Sequence, residues 1–193
     1  MDATTLLGLL QSAVPGATFD VVPSVDDPTL RVPREHLVAT CRAMRDVPDL
    51  SFAVLVDLTA VDYHPREPRF EVVYHLVRVG DFPRPGLTPA RARLKVPVPA
   101  GDAHVPTVSS VYPNANWAER EVFDLFGIVF DGHPDLRRIL TPDEWEGHPL
   151  RKDYPVQVNV PVRAQERLQM SEQEFVANIE RQRIATGAER KPS

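Results

Sequence analysis

Hydrophobic and polar positions alternate most clearly between residues 51 and 98. Phe52, Val54, Val56 and Leu58 alternate with Ala53, Leu55, Asp57 and Thr59. The first half of this run, over 51–63, is apolar on both sides, the pattern of a central, covered strand. After the turn His64-Pro65-Arg66-Glu67-Pro68, the residues Phe70, Val72, Tyr74 and Leu76 alternate with Glu71, Val73, His75 and Val77, and the two runs read as a hairpin. A third run sets Ala92, Leu94, Val96 and Val98 against Arg91, Arg93, Lys95 and Pro97. Pro97 and Pro99 predict a position at or near a sheet edge for it. Short strands are expected at 17–23 and 29–32, separated by the turn-rich segment 24–28. Helical spacing marks residues 3–12, with Thr4 or Thr5 near the start, and Arg34 to Asp46, where Leu37, Cys41 and Met44 share a face. Pro33 suits the first helical position and Pro48 ends the run. Residues 1–112 thus read as an α+β domain, a two-layer sandwich of a mixed, largely antiparallel sheet with helices on one face.

A second region, 113–160, consists of one helix and a long loop. Asn114 or Asn116 can cap a helix from Trp117 to Phe126, and Gly127 suits its end. On a helical wheel Ala118, Val122, Phe123, Leu125 and Phe126 form one apolar arc, while Trp117, Arg120, Glu121 and Asp124 lie opposite. Glu119 falls inside the apolar arc. A buried carboxylate needs a partner, so Glu119 is expected either to meet Arg137 or Arg138 from the following loop or to stay hydrated in the first turn, favoured by the helix dipole. Beyond Gly127 the chain is dense in Pro, Gly, Asp, Arg and His, with Phe130, Trp145 and Tyr154 as aromatic anchors against disorder. The third region, 161–193, is a loop-rich C-terminal extension with one short helix over Ser171–Arg183, where Ser171 and Glu174 fit a capping box.

Composition narrows the function. The 193 residues carry 22 basic and 27 acidic side chains, a net charge of −5, which gives no help towards nucleic acid. The one cysteine, Cys41, cannot supply the ligands of an iron–sulfur cluster and reads as core packing. No apolar run is long enough to span a bilayer, and the first basic residue is Arg31, so no secretory leader is expected. The scattered glycines form neither a dinucleotide nor a phosphate loop, and no nucleophile elbow is present.

The loop repeats itself. Gly132-His133-Pro134-Asp135-Leu136-Arg137-Arg138 is echoed by Gly147-His148-Pro149-Leu150-Arg151-Lys152-Asp153. Three readings stand open. One is a metal site from His133, His148 and Asp135, which would make the chain a small independent metal-dependent enzyme. Another is an anion site from Arg137, Arg138, Arg151 and Lys152. The third is a rigid loop presented to another protein chain, where arginine and aromatic residues are favoured.

Glu119-Arg120-Glu121-Val122-Phe123-Asp124-Leu125-Phe126-Gly127-Ile128, followed by His133, Arg137, Ile139 and Leu140 and then by the segment Gly147 to Pro155, closely resembles the motif of the 30-kDa subunit of respiratory complex I. The resemblance runs over roughly residues 114–155. It implies a non-redox structural subunit of the peripheral arm of a proton-translocating NADH:quinone oxidoreductase. Such a subunit docks on the 49-kDa-type subunit near the quinone site, on the cytoplasmic side of the bacterial inner membrane. It implies no catalytic residue, metal or cofactor in this chain, with NADH, FMN, iron–sulfur clusters and quinone held by partner subunits. Glu119, Arg120, Glu121, His133, Arg137, Arg138, His148, Arg151, Lys152 and Asp153 are expected to be fold-fixing or interface positions. An equivalent subunit of a membrane-bound hydrogenase, or of another donor:quinone oxidoreductase, fits the same motif.

Overall fold

The structure is a computed structural model that describes residues 1–80, 86–155, 173, 175–177 and 179. The chain forms two compact units, Met1–Tyr154 and Pro155–Ser193. In the second, residues 173, 175–177 and 179 are helical; the rest of the helix expected over Ser171–Arg183 lies outside the described residues.

The first unit is an α+β sandwich. In chain order it contains α1 (Ala3–Ala13), β1 (Asp20–Val22), β2 (Thr29–Arg31), α2 (Leu37–Asp46), β3 (Val54–Asp62), β4 (Phe70–Arg78), β5 (Ala90–Val98), β6 (His104–Pro106), α3 (Ala115–Phe126) and β7 (Val129–Asp131). The helix α1 starts at Ala3, one residue before Thr4, because the Asp2 carboxylate accepts from the Thr5 N–H at 2.7 Å and caps it. Pro33 precedes a 3₁₀ turn over Arg34–His36 that runs into α2.

Five strands form one sheet in the order β1-β2-β5-β4-β3. All pairings are antiparallel except β2 with β5. The inward row Leu55, Leu58, Ala60, Phe70, Val72, Tyr74, Leu76, Leu94 and Val96 packs with Leu6, Leu10, Leu37, Cys41, Met44 and Val122 of the helices in a single core. The helices therefore cover one face. On the other, Glu71 bridges Lys95 at 2.8 Å and Arg31 at 3.5 Å.

Two expectations about strand position are reversed. The doubly apolar β3 is an edge strand, and the proline-bearing β5 is interior. A register shift between Leu55 and Asp57 turns Val56 outward, where it is 60% exposed, so the apolar excess of β3 does not signal cover on both faces. In β5 the Arg93 N–H and Lys95 carbonyl point towards β2, so the missing N–H of Pro97 lies on that side too. The strand β2 stops at Arg31, opposite Lys95, and leaves no ladder there for Pro97 to break. His104 starts β6, which pairs in parallel with β7, the one strand of the long loop among the described residues.

Candidate functional site

The motif folds as one helix clasped along its length by the loop that follows it. The helix α3 spans Ala115–Phe126, two residues longer at its start than the wheel assumed. Asn114 sits at its N-cap but makes no side-chain capping bond; its amide donates instead to the Leu55 carbonyl at 2.6 Å and ties the helix start to β3. Gly127 ends the helix at φ 70. A Cβ there would meet the His148 ring at 2.4 Å and Arg151 Nη2 at 2.6 Å, so both the turn and the close approach require glycine.

The two Gly-His-Pro segments do the same job at opposite ends of α3. Gly132 and Gly147 both adopt φ 79. His133 Nε2 lies 3.1 Å from the Asn116 carbonyl, and its Nδ1 accepts from the Asp135 N–H at 3.0 Å. A carbonyl only accepts and an amide only donates, so the two contacts suit the tautomer with its proton on Nε2. His148 donates from Nδ1 to the Asp124 carbonyl at 2.9 Å and packs edge-on against Phe123. Burial lowers its pKa and keeps it neutral. The two carbonyls are about 12 Å apart along the helix, too far for both imidazoles to share one ion. Among the described residues no group of three metal-ligating side chains converges.

The buried carboxylates of α3 depart from the expected pairing. Glu119 is fully buried, but Arg138 goes to Asp124 and Arg137 to Asp135. Glu119 instead accepts from the Val108 N–H at 2.7 Å and from the Thr107 hydroxyl, with His133 Nε2 at 3.8 Å. Burial pushes its carboxyl up to about 7, against the lowering pull of Thr107 and Val108. Asp124, assigned by the wheel to the outer side, is equally buried because the loop folds over it. It accepts from the N–H groups of Ile139, Leu140 and Thr141 at 3.0, 2.7 and 2.9 Å, from Arg138 at 2.9 Å and from the Thr141 hydroxyl. Burial alone would raise Asp124, but the Thr141 hydroxyl and these N–H groups outweigh it and hold the carboxyl well below its usual range.

The loop returns to the sheet through a second ionic clip. Arg69, between the hairpin strands, grips Asp62 at 2.8 and 3.0 Å and Asp153 at 2.9 Å. The Lys152 N–H adds a bond to Asp62 at 2.9 Å. Burial would raise Asp62; Arg69 and the N–H groups of Lys152 and His64 hold it far below the usual range. Arg151 donates to the Phe126 and Gly127 carbonyls, closing the C-terminal end of α3, and stacks over Phe70 at 5.4 Å.

Most of the arginines expected on the surface are thus turned inward. Arg120 donates to the carbonyls of Arg137 and Arg138 and lies 5.2 Å over the Trp117 ring. Arg138 and Arg151 hold the loop, and the Asp153 carboxylate completes the clip. Facing outward are Arg137, at 73%, with Glu121 and Lys152. Three apolar side chains of the helix and loop are exposed as well: Trp117 at 64%, Leu140 at 60% and Leu150 at 51%. Sequence reasoning missed Asp62, Arg69, Thr107 and Asp124. Asp62 was within reach of it, since it continues the inward row Leu58, Ala60 at the end of β3. No helix among the described residues is long and apolar enough to cross a membrane.

Comparison with known proteins matches residues 30–160 to the family described as respiratory-chain NADH dehydrogenase, 30 Kd subunit. The C subunit of NADH-quinone oxidoreductase from Roseiflexus sp. (strain RS-1) is 45% identical over 156 residues, covering 81% of this chain and 86% of that one. Its counterpart from Caulobacter sp. (strain K31) is 50% identical over 136 residues, covering 70% and 60%. Among solved structures, a trypsin-resistant fragment (1–134) of Nqo5 superposes with a TM-score of 0.53 at 34% identity, covering 70% of this chain and all of the fragment. A chain of an archaeal membrane-bound sulfane sulfur reductase, a respiratory membrane complex, superposes with a TM-score of 0.62 at 29% identity, covering 79% and 85%. With its motif helix, its clasping loop and these relatives, the chain belongs to the 30 Kd subunit family of respiratory-chain NADH dehydrogenase.

Proposed function

We propose that the chain is a cofactor-free structural subunit of the peripheral arm of proton-translocating NADH:quinone oxidoreductase. It docks on the 49-kDa-type subunit near the quinone site, on the cytoplasmic side of the inner membrane, and supports electron transfer without carrying electrons. The observation that carries this reading is the division of labour in the clasp. The buried ionic groups of the motif are consumed in holding α3 and its loop, while Trp117, Leu140 and Leu150 stand exposed on the rigid result. Apolar and aromatic side chains on a preorganised surface are the ordinary anchors of a protein interface. Likeness to a chain of the sulfane sulfur reductase favours one alternative, the same scaffold role in another respiratory membrane complex.

The test is assembly. A photo-crosslinking residue at Leu140 should capture the 49-kDa-type subunit in detergent-solubilised membranes. The double variant Trp117→Ala, Arg137→Glu should lower peripheral-arm assembly and quinone reductase activity together, with the thermal stability of the chain unchanged. Normal assembly in that variant, or crosslinks only to other subunits, overturns the reading.

A further inference from the structure

Glu119 has no evident part in docking. Its side chain and that of His133 are both fully buried. A structural carboxylate in such a place is normally ion-paired, as Asp124 and Asp62 are. Around Glu119 the described residues offer no arginine or lysine partner, and His133 Nε2 stands 3.8 Å away. Arg120, next along the helix, is turned to the loop carbonyls. From α2 and β4 the titratable neighbours are Cys41 and Tyr74, both buried and both held neutral by burial reinforced by the charge of Glu119. Among the described residues the Tyr74 hydroxyl has no hydrogen-bond partner. From the turn after β7, His133 presents an Nε2–H already given to Asn116.

On the fourth side stands a pair of hydroxyls. Thr107 contacts Glu119, and Ser109 lies 2.9 Å from Thr107. The Ser109 N–H donates to the Thr107 hydroxyl at 3.1 Å. Thr107 and Ser109 are both half-buried, so they lead from the enclosed carboxyl towards solvent. This arrangement has two complete hydrogen-bond patterns. With Glu119 ionised, Thr107 donates to Oε2 and Ser109 donates to Thr107. With Glu119 protonated, Oε2–H donates to Thr107 and Thr107 donates to Ser109. In both, Oε1 keeps the Val108 N–H, and every polar atom of the set has a partner.

We propose that Glu119 is a proton-binding site of the folded subunit, filled from solvent through Thr107 and Ser109, whose hydroxyl bonds reverse direction as the proton enters. One proton from water neutralises one carboxylate, and no other reactant is needed. His133 is engaged on both ring nitrogens, Nε2 by the Asn116 carbonyl and Nδ1 by the Asp135 N–H. The geometry agrees with the electrostatics: burial raises the carboxyl to about 7, within the range where the site would change state.

Glutamate labelled with ¹³C at the carboxyl lets the full-length chain be titrated by NMR. One glutamate resonance should move with a midpoint near 7, far above the rest. In Thr107→Val, which keeps the side-chain shape and removes the hydroxyl, that midpoint should rise by about one pH unit. A spectrum in which every glutamate titrates below about 5.5 overturns the proposal from the unmodified chain alone. A resonance near 7 whose midpoint ignores Thr107→Val overturns it as well, and one that vanishes in Glu119→Gln while rising in Thr107→Val supports it.

Discussion

The two ends of α3 are built from the same parts and reach opposite electrostatic outcomes. At each end a fully buried carboxylate sits close to a histidine from a Gly-His-Pro turn, and that histidine donates to a helix carbonyl. Asp124 collects three backbone N–H groups, a hydroxyl and a guanidinium, and its pKa falls. Glu119 collects one N–H and one hydroxyl, and its pKa rises. Both side chains are shut off from solvent, but Glu119 lies deeper in the fold. Burial therefore prevails over two donors at Glu119, whereas the Thr141 hydroxyl and three N–H groups outweigh it at Asp124. The C-terminal end is a fixed ionic lock, whereas the N-terminal end can exchange a proton.

Breaking the lock should have the largest effect. Asp124→Asn removes the charge opposite Arg138 and disturbs the three N–H bonds that shape residues 139–141. Loss of one partner from a buried pair costs about 3–5 kcal/mol, and the loop should become protease-sensitive. Chemical denaturation of the variant measures the cost directly. The pH dependence follows from the same shift. Because the folded-state pKa of Asp124 is depressed, its stabilisation is present above the ordinary value of 3.8 and is lost as pH falls through the folded value. Asp124→Asn should therefore flatten the acid side of the stability curve; a parallel curve would show that Asp124 is not ionised in the lock.

Glu119→Gln tests the other end, with the opposite sign. The folded pKa is raised from 4.5 to about 7, so the folded chain holds a proton that the unfolded chain releases. Stability from this group is complete below about 4.5 and is lost as pH rises towards 7 and beyond. By pH 8 the loss approaches about 3 kcal/mol, and the glutamine variant escapes it. The variant should match the natural chain near pH 4.5 and exceed it above 7. A pH-independent offset between their melting curves would mean that Glu119 does not titrate in this window.

Gly127→Ala attacks the junction between the two ends and the loop. The left-handed backbone costs about 1–2 kcal/mol for a residue bearing a Cβ, and the new atom must also displace His148 and Arg151. The His148 ring should lose its bond to the Asp124 carbonyl, visible as a change in its imidazole ¹⁵N shifts, while the Glu119 midpoint stays put. If the Glu119 midpoint moved too, the two ends would be coupled rather than independent.

Much of this contrast was hidden from the sequence for a physical reason. Periodicity reports which way a side chain leaves its own helix or strand, so it located the inward rows of β4 and β5 and put Glu119 on the buried arc of α3. It cannot report what a later segment lays over the outer side. Asp124 reads as a solvated residue until the loop 137–141 wraps it, and Arg138 cannot be told from Arg137. The same blindness reversed the edge and interior strands, because a one-residue bulge at Val56 and the early end of β2 are events between strands rather than within them.

The smallest expected effect on stability comes from separating those two neighbouring arginines. Arg137 is largely exposed and, among the described residues, pairs with Asp135, two residues away, in a contact that water and salt screen. Arg138 carries Asp124, the Thr141 hydroxyl and the Gly147 carbonyl at once, each at 2.9 Å. Arg137→Ala should leave the melting temperature of the chain where it is, whereas Arg138→Ala should lower it and expose the loop to protease. Assembly reads out differently. Arg137 borders the Leu140 surface, so its replacement should weaken docking in a folded chain, with a dependence on salt; replacing Arg138 should weaken docking only as far as it unfolds the loop. A loss of stability from Arg137→Ala equal to that from Arg138→Ala would mean that the clasp draws on both residues, and that the surface offered to the partner is not separate from the machinery that holds it.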